Sequence, residues 1–225
     1  MMEGNSRSVS SNQQGVHEKL EKVVLRHLNE PFQKPYQQHT LDAFRQLEKQ
    51  VSVLGRPIVL DSCCGTGLST AALALLHPEA VVIGLDKSAH RLTKHHAHFD
   101  QEGQNYQLLQ VDLNDFWRLA CDAGWQPSHH YVLYPNPWPK SRHLQRRWHG
   151  SAVFPYMIKL GGQLELRSNW STYLEEFQIA LRLAGHTSQL NQYHSDNPIT
   201  AFERKYLNSG QQLWQLRSYL RQFVG

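Results

Sequence analysis

An alternation of strand-like and helix-like stretches constrains what this chain can fold into. RPIVLDS (56–62) is followed by GLSTAALALLH (67–77), AVVIGLD (80–86) by KSAHRLTKHHAHF (87–99), and YQLLQVD (106–112) by a helix over 113–123. HHYVLYP (129–135) precedes a helix over 141–159, and GQLELRS (162–168) precedes STYLEEFQIALRLAG (171–185). Parallel strands need long crossovers, and helices serve as those crossovers on both faces of a buried sheet. The pattern therefore predicts an α/β, Rossmann-like fold with a mostly parallel sheet. QLWQLRSYLRQF (212–223) adds an antiparallel C-terminal strand.

Upstream, HEKLEKVVLRHL (17–28) repeats apolar residues at helical spacing, and a second helix is expected near 41–53. Residues 16–54 thus read as a helical extension and 55–225 as the main domain. Residues 1–15, rich in Ser, Asn and Gln, have little to bury and are expected to be a disordered tail. The N-terminus lacks an apolar signal core, and no stretch approaches the roughly 20 apolar residues of a membrane span. Three cysteines outside any CxxC pair suit a reducing compartment. The expectation is a cytoplasmic protein with no membrane contact.

A net charge of +4 suits a polyanionic partner without demanding one. His90, His95, His96 and His98 crowd one helix, but no two stand four residues apart, so they read as a solvated face and no metal is expected. Cys63 and Cys64 read as small packing residues. Asp115 and Glu165 have no partner that the sequence reveals.

In open α/β sheets ligands sit at the carboxyl ends of the strands, so those ends carry the chemistry. The first ends in LDSCCGTGLST, where Gly65 and Gly67 allow a tight turn and close approach to a ligand. Asp86 ends the second, 19 residues after Gly67, near the spacing at which an acid grips a ribose diol. Asp112 ends the third and could accept from an adenine amino group. Each acid alone would equally serve as a helix N-cap or a surface carboxylate. A dinucleotide loop would read G-x-G-x-x-G, whereas here an acid, Asp61, leads the loop. A carboxylate repels phosphate but pairs with an amino-acid ammonium. S-adenosylmethionine carries an ammonium and a sulfonium and no phosphate, so it is the expected cofactor, as in class I S-adenosylmethionine-dependent methyltransferases.

The fourth strand ends in YPNPWPKSRHLQRRWH (134–149). This run resembles the F-P-D-P-W-x-K-x-R-H-x-K-R-R motif of the bacterial tRNA (guanine-N7-)-methyltransferase family (TrmB-like). It matches at Pro135, Pro137, Trp138, Lys140, Arg142, His143, Arg146 and Arg147. A T-x-F-E … G … W-D-L signature is echoed by Thr200, Phe202, Glu203, Gly210, Trp214 and Leu216, and T-D-W-x-x-Y by Trp170 and Tyr173. The resemblance spans roughly 55–217. It implies methyl transfer from S-adenosylmethionine to N7 of a guanine in tRNA, with Asp61, Gly65, Gly67, Asp86 and Asp112 on the cofactor. It also implies a catalytic or guanine-contacting residue at Asn136, and Asn169, Thr200 and Glu203 on the acceptor side. Arg142, Arg146 and Arg147 suit phosphate contacts because a planar guanidinium forks onto oxyanions, Lys140 and His143 would add charge, and Trp138 or Tyr134 could stack a base. Oligomeric state stays open between monomer and homodimer.

The chain departs from the motifs at several positions, three of them acid to amide. Asn136, Asn169 and Gln215 stand where the family has acids, Asp61 and Cys63 replace the opening Glu and first Gly of its loop, and Tyr206 replaces a Gly. A guanine Watson–Crick edge offers two donors, which suit a carboxylate better than an amide. Three readings follow: the family's activity retained, a methyltransferase redirected to another base or acceptor, or a cofactor- and tRNA-binding protein without turnover.

Overall fold

The computed structural model describes residues 6–95 and 105–221. Helices α1 (Leu20–Asn29) and α2 (Gln38–Leu54) come first. Each buries one stripe at helical spacing: Leu20, Val23, Val24 and His27 on α1, and Thr40, Phe44, Leu47 and Val51 on α2. There follow β1 (Ile58–Ser62), α3 (Leu68–Leu76), β2 (Val81–Asp86), α4 (Ala89–Leu92), β3 (Tyr106–Gln110), α5 (Leu113–Asp122) and β4 (His129–Leu133). The chain closes with α6 (Phe154–Lys159), β5 (Gly162–Ser168), α7 (Ser171–Leu183), β6 (Ser188–Tyr193), α8 (Ala201–Asn208) and β7 (Leu213–Leu220).

The strands form one sheet in the order β3-β2-β1-β4-β5-β7-β6, and β7 runs antiparallel to both of its neighbours. Burial on both faces explains the apolar runs of β1 and β2, where Val59 and Leu60, and Val82 and Ile83, face opposite cores. The larger core gathers Leu60, Ile83, Val132, Leu164 and Leu216 against residues of α1, α2, α5, α6 and α7. The smaller packs Val59 and Val82 against Leu73 and Ala74 of α3. The β4–β5–β7 part of that second face is polar and open, and His129, Tyr131, Glu165 and Arg217 line a cavity of about 600 Å³ there.

Four expectations change. The helix expected over 141–159 is two 3₁₀ turns, Ser141–Arg146 and Trp148–Gly150, followed by the short α6. Arg147 breaks it, because its backbone is extended (φ −75°, ψ 143°) while its side chain turns inward. Between α7 and the closing strand, where the alternation gives no further element, the chain forms β6 and α8. Its strand SQLNQY lacks clean apolar alternation because it is the exposed edge of the sheet.

The third change concerns His95, which is not on a solvated face. It is 1% exposed, and its ring nitrogens lie 2.9 Å from the Thr66 carbonyl and 2.8 Å from the Tyr106 hydroxyl. His90 is exposed, and His96 and His98 lie outside the described residues. The fourth is the N-terminal tail, because residues 6–15 make specific hydrogen bonds to the acceptor side of the domain. Asp115 and Glu165 also find partners: Asp115 accepts from the Gln37 amide and pairs with Arg118, and Glu165 binds Arg167, Gln215 and Arg217.

Candidate active site

The site begins where β1 ends. Gly65 (φ +62°) and Gly67 (φ +80°) occupy the left-handed region, and Gly67 opens α3. A Cβ on Gly67 would strike Leu108 and His95, whereas one on Gly65 would meet only open space. Gly65 is thus the place where the backbone can lie against a ligand. Cys63 has φ +66°, a conformation that costs a non-glycine residue about 1–2 kcal/mol. Burial, with the Asp86 carboxylate nearby, pushes its thiol up to about 12, so it stays a neutral packing group.

Asp61 is fully buried at the end of β1. Its Oδ2 accepts from the hydroxyls of Ser69 and Thr70, both at 2.7 Å, while Oδ1 has no partner. Burial pushes its pKa up to about 6 despite those two hydroxyls. A buried carboxylate with one unsatisfied oxygen is costly unless a cation reaches it. The ammonium of S-adenosylmethionine is such a cation, and the Gly65 backbone, with nothing within 4 Å of where its Cβ would stand, is open to a ligand's approach. The residues present therefore fit this cofactor.

The other two acids sit at the expected strand ends but are tied to their own chain. Asp86 Oδ2 accepts from the Gly65 amide at 3.0 Å and lies 3.4 Å from Arg91, while Oδ1 accepts from the Ser88 amide at 2.8 Å. It thereby pins the glycine loop to the end of β2. Asp112 is the N-cap of α5, accepting from the Asn114 amide at 3.0 Å. Its other oxygen faces Lys87 (3.1 Å), Gln37 (3.0 Å) and Lys34 (3.8 Å). Burial alone would raise Asp112, but Asn114 and the Lys87 ammonium hold it below the usual carboxylate range.

The acceptor side rises from β4, whose Asp61↔Tyr131 and Ser62↔Val132 pairing with β1 brings the glycine loop and the proline-rich lip out of the same sheet end. In the lip, Tyr134 (φ +52°) and Trp138 (φ +46°) are both strained, at about 1–3 kcal/mol each. Asn136 is exposed, and its Oδ1 accepts from the Trp138 amide at 3.3 Å, so the lip turns around the asparagine. Tyr134 is 7% exposed with a hydroxyl that has no partner. Trp138 is half-buried, with the Arg146 guanidinium 4.7 Å over its ring and the His143 ring edge-on.

The cations expected to meet phosphate divide into two sets. Lys140, Arg142 and Arg146 are exposed. Arg147 is fully buried: it donates to Glu176 at 2.5 Å and to the Trp138 carbonyl at 3.2 Å, so it is removed from the phosphate-facing set. His143 is half-buried, and burial together with Arg146, Arg142 and Lys140 holds it below its ordinary pKa, so it adds little charge at neutral pH.

Glu176 is the residue that motif reading missed. Fully buried, it accepts from Arg147, from His149 Nε2 (2.9 Å), from Gln13 Nε2 (2.6 Å) and from the His17 amide (2.9 Å). Burial would raise its pKa, but His149 and Arg147 outweigh it and bring Glu176 down to about 2. One signal for it exists in the sequence: a glutamate three residues after Tyr173 and one before Phe177, on the buried stripe of α7.

The remaining acceptor candidates are also held by the protein. Glu203 is fully buried and accepts from Arg167 at 3.2 Å, which takes it out of direct base contact. Thr200 is the N-cap of α8, accepting from the Glu203 amide at 2.9 Å. Asn169 is half-buried and donates to Gln211 at 2.8 Å.

A mostly parallel sheet in this strand order, with a glycine loop and acids at its carboxyl end and no dinucleotide signature, defines a class I methyltransferase whose methyl donor is S-adenosylmethionine. Residues 55–216 match the family Methyltransf_4, described as "Putative methyltransferase", and the chain belongs to that family. It is 28% identical to the tRNA (guanine-N(7)-)-methyltransferase of Alkalilimnicola ehrlichii, over 75% of each chain. It is 25% identical to the enzyme of that name from Geobacillus thermodenitrificans, over 71% of this chain and 78% of that one. Among solved structures it is similar to the 16S rRNA methyltransferase KamB (TM-score 0.58, 18% identity, 84% of this chain and 96% of that one). It is also similar to a variant 16S rRNA (adenine(1408)-N(1))-methyltransferase of Catenulisporales acidiphilia solved with cosubstrate SAM (TM-score 0.55, 18% identity, 79% and 91%). These two likenesses concern the fold.

Proposed function

We propose that the protein methylates N7 of a guanine in tRNA, in the cytoplasm, with Asn136 and the exposed cations of the lip on the acceptor side. The observation that carries this reading is the pairing of β4 with β1, which sets an RNA-suited basic lip directly beside the cofactor loop. The bound cofactor supplies an electrophilic methyl group. Guanine N7 already holds a lone pair, so no side chain is needed to remove a proton; the protein's work is to bind, align and exclude water. Asp61 holds the cofactor's ammonium, and Asp86 and Asp112 its ribose and adenine. Lys140, Arg142 and Arg146 take tRNA phosphates.

The asparagine fits this reading once its turn is considered. Its oxygen is engaged by the Trp138 amide, so an incoming base meets its NH2 donor. Guanine presents O6, an acceptor, next to N7. An NH2 on O6 orients N7 without the carboxylate that a Watson–Crick contact would call for.

The test is incubation of the purified protein with methyl-labelled S-adenosylmethionine and unmodified tRNA, followed by nucleoside identification. Label in 7-methylguanosine is the expected result. Label in a methyladenosine would redirect the assignment. Tight tRNA and cofactor binding without label would leave a binding protein.

A further inference from the structure

Residues 6–17 belong to no helix or strand, yet they are fastened at both ends to the acceptor side. At one end the Ser6 amide donates to Ser209 Oγ at 3.1 Å and its carbonyl accepts from Gln211 Nε2 at 2.9 Å. Gln211 is the residue that receives Asn169. At the other end Ser11 Oγ donates to the Pro139 carbonyl at 2.6 Å, and Asn12 Oδ1 accepts from the Ser141 amide at 3.0 Å. The segment therefore joins two regions of the domain: the Asn169 side, beyond β5, and the lip, beyond β4.

Within it, Gln13 has a particular place. Its Nε2 donates to Glu176 at 2.6 Å and its Oε1 accepts from Arg147 Nη2 at 3.0 Å, so one amide touches both members of the buried ion pair. Only a side chain with a donor and an acceptor at one tip can do this. Arg147 in turn donates to the carbonyls of Trp138 (3.2 Å) and Lys140 (3.5 Å). Four successive lip residues, Trp138 to Ser141, thus each have a backbone group held by Arg147, Ser11 or Asn12. Trp138 is one of the strained residues, and strain persists only where surroundings impose it.

We propose that residues 6–17 form a wall of the acceptor site and that Gln13 is its positioning residue, setting the lip through Arg147 and Glu176. The kinetic part of this proposal rests on the tRNA reading above; the structural part does not. Two variants test it: Gln13→Ala, which removes the amide, and Gln13→Met, which keeps the length but neither hydrogen bond.

Hydrogen exchange should show the amides of Trp138 and Ser141, which donate to Asn136 and Asn12, exchanging about tenfold faster in both variants, as expected when the lip loses the hydrogen bonds that Gln13 makes to Arg147 and Glu176. The KM for tRNA should rise about fivefold to tenfold while cofactor affinity stays within about twofold, because the Asp61 site is not touched. Unchanged lip exchange in both variants would overturn the proposal. So would faster exchange spread evenly through α7 and the sheet, since that is a general loss of stability. If the wild-type protein methylates no tRNA, the failure belongs to the functional reading, and lip exchange still decides the role of Gln13.

Discussion

The two halves of the site are built by different means. On the cofactor half, the loop after β1 is fixed over short spans: Asp61 by Ser69 and Thr70, 8 and 9 positions away, Asp86 by Ser88, 2 away, and Gly65 by Asp86, 21 away, whereas Asp112 also draws on Gln37, 75 away. On the acceptor half, the lip is fixed by residues far away in the chain. Ser11 reaches Pro139 across 128 positions, Gln13 reaches Glu176 across 163, and Glu176 meets Arg147 across 29. The loop that carries Asp61 is a largely local motif, while the acceptor half is an assembly that exists only once the sheet, α7 and the N-terminal segment have come together. Mutations should therefore separate into those that weaken cofactor binding in an intact protein and those that loosen the acceptor side or the whole fold.

The largest expected effect lies on the acceptor half. Glu176→Ala strands Arg147 as a buried, unpaired charge and should lower the unfolding free energy by about 3–5 kcal/mol in denaturant titration. A loss below about 1 kcal/mol would show that water reaches this pair, contrary to its burial. Next comes Asp61→Asn, which keeps the shape but cannot be charged. It should weaken S-adenosylmethionine binding by about tenfold or more in calorimetry while the melting temperature holds. Equal loss of stability would erase the distinction between the halves.

A smaller effect is expected from replacing Arg142 and Arg146 together by Ala. Affinity for tRNA should drop, and the slope of log K against log salt should become shallower by about 1–2, with cofactor affinity unchanged. The buried Arg147 should behave unlike these two, since Arg147→Ala acts on stability rather than on the salt slope.

The smallest effect is a pH dependence. In the cofactor-free protein Asp61 titrates at about 6, above an ordinary aspartate, so it is protonated below that pH and charged above it. The ammonium pairs only with the charged form. Binding should therefore leave the protonation of Asp61 unchanged well above pH 6, draw a proton off it near pH 5, and weaken by up to about tenfold per unit below 6 until it reaches the affinity of Asp61→Asn. Affinity that is flat from pH 5 to 8 would mean that another group holds the ammonium.

How much of this was legible beforehand differs between the halves for the same reason. The strand-helix alternation depends on side-chain period, a property of each segment by itself, so the sequence determined the α/β architecture, the reversed C-terminal strand and the loop carrying Asp61, Gly65 and Gly67. Motif spacing likewise located the basic lip around Asn136. Burial and long-range pairing are not properties of a segment. Arg146 and Arg147 are adjacent and of one type, yet one lies over Trp138 at the surface and the other is sealed beneath it against Glu176. Glu203 and Thr200 match a motif, yet packing turns one toward Arg167 and makes the other a helix cap. The tail of Ser, Asn and Gln had nothing apolar to bury and so read as disordered. Its amides and hydroxyls are held instead by a lip carbonyl, a lip amide and a buried carboxylate, partners that only the tertiary structure brings within reach.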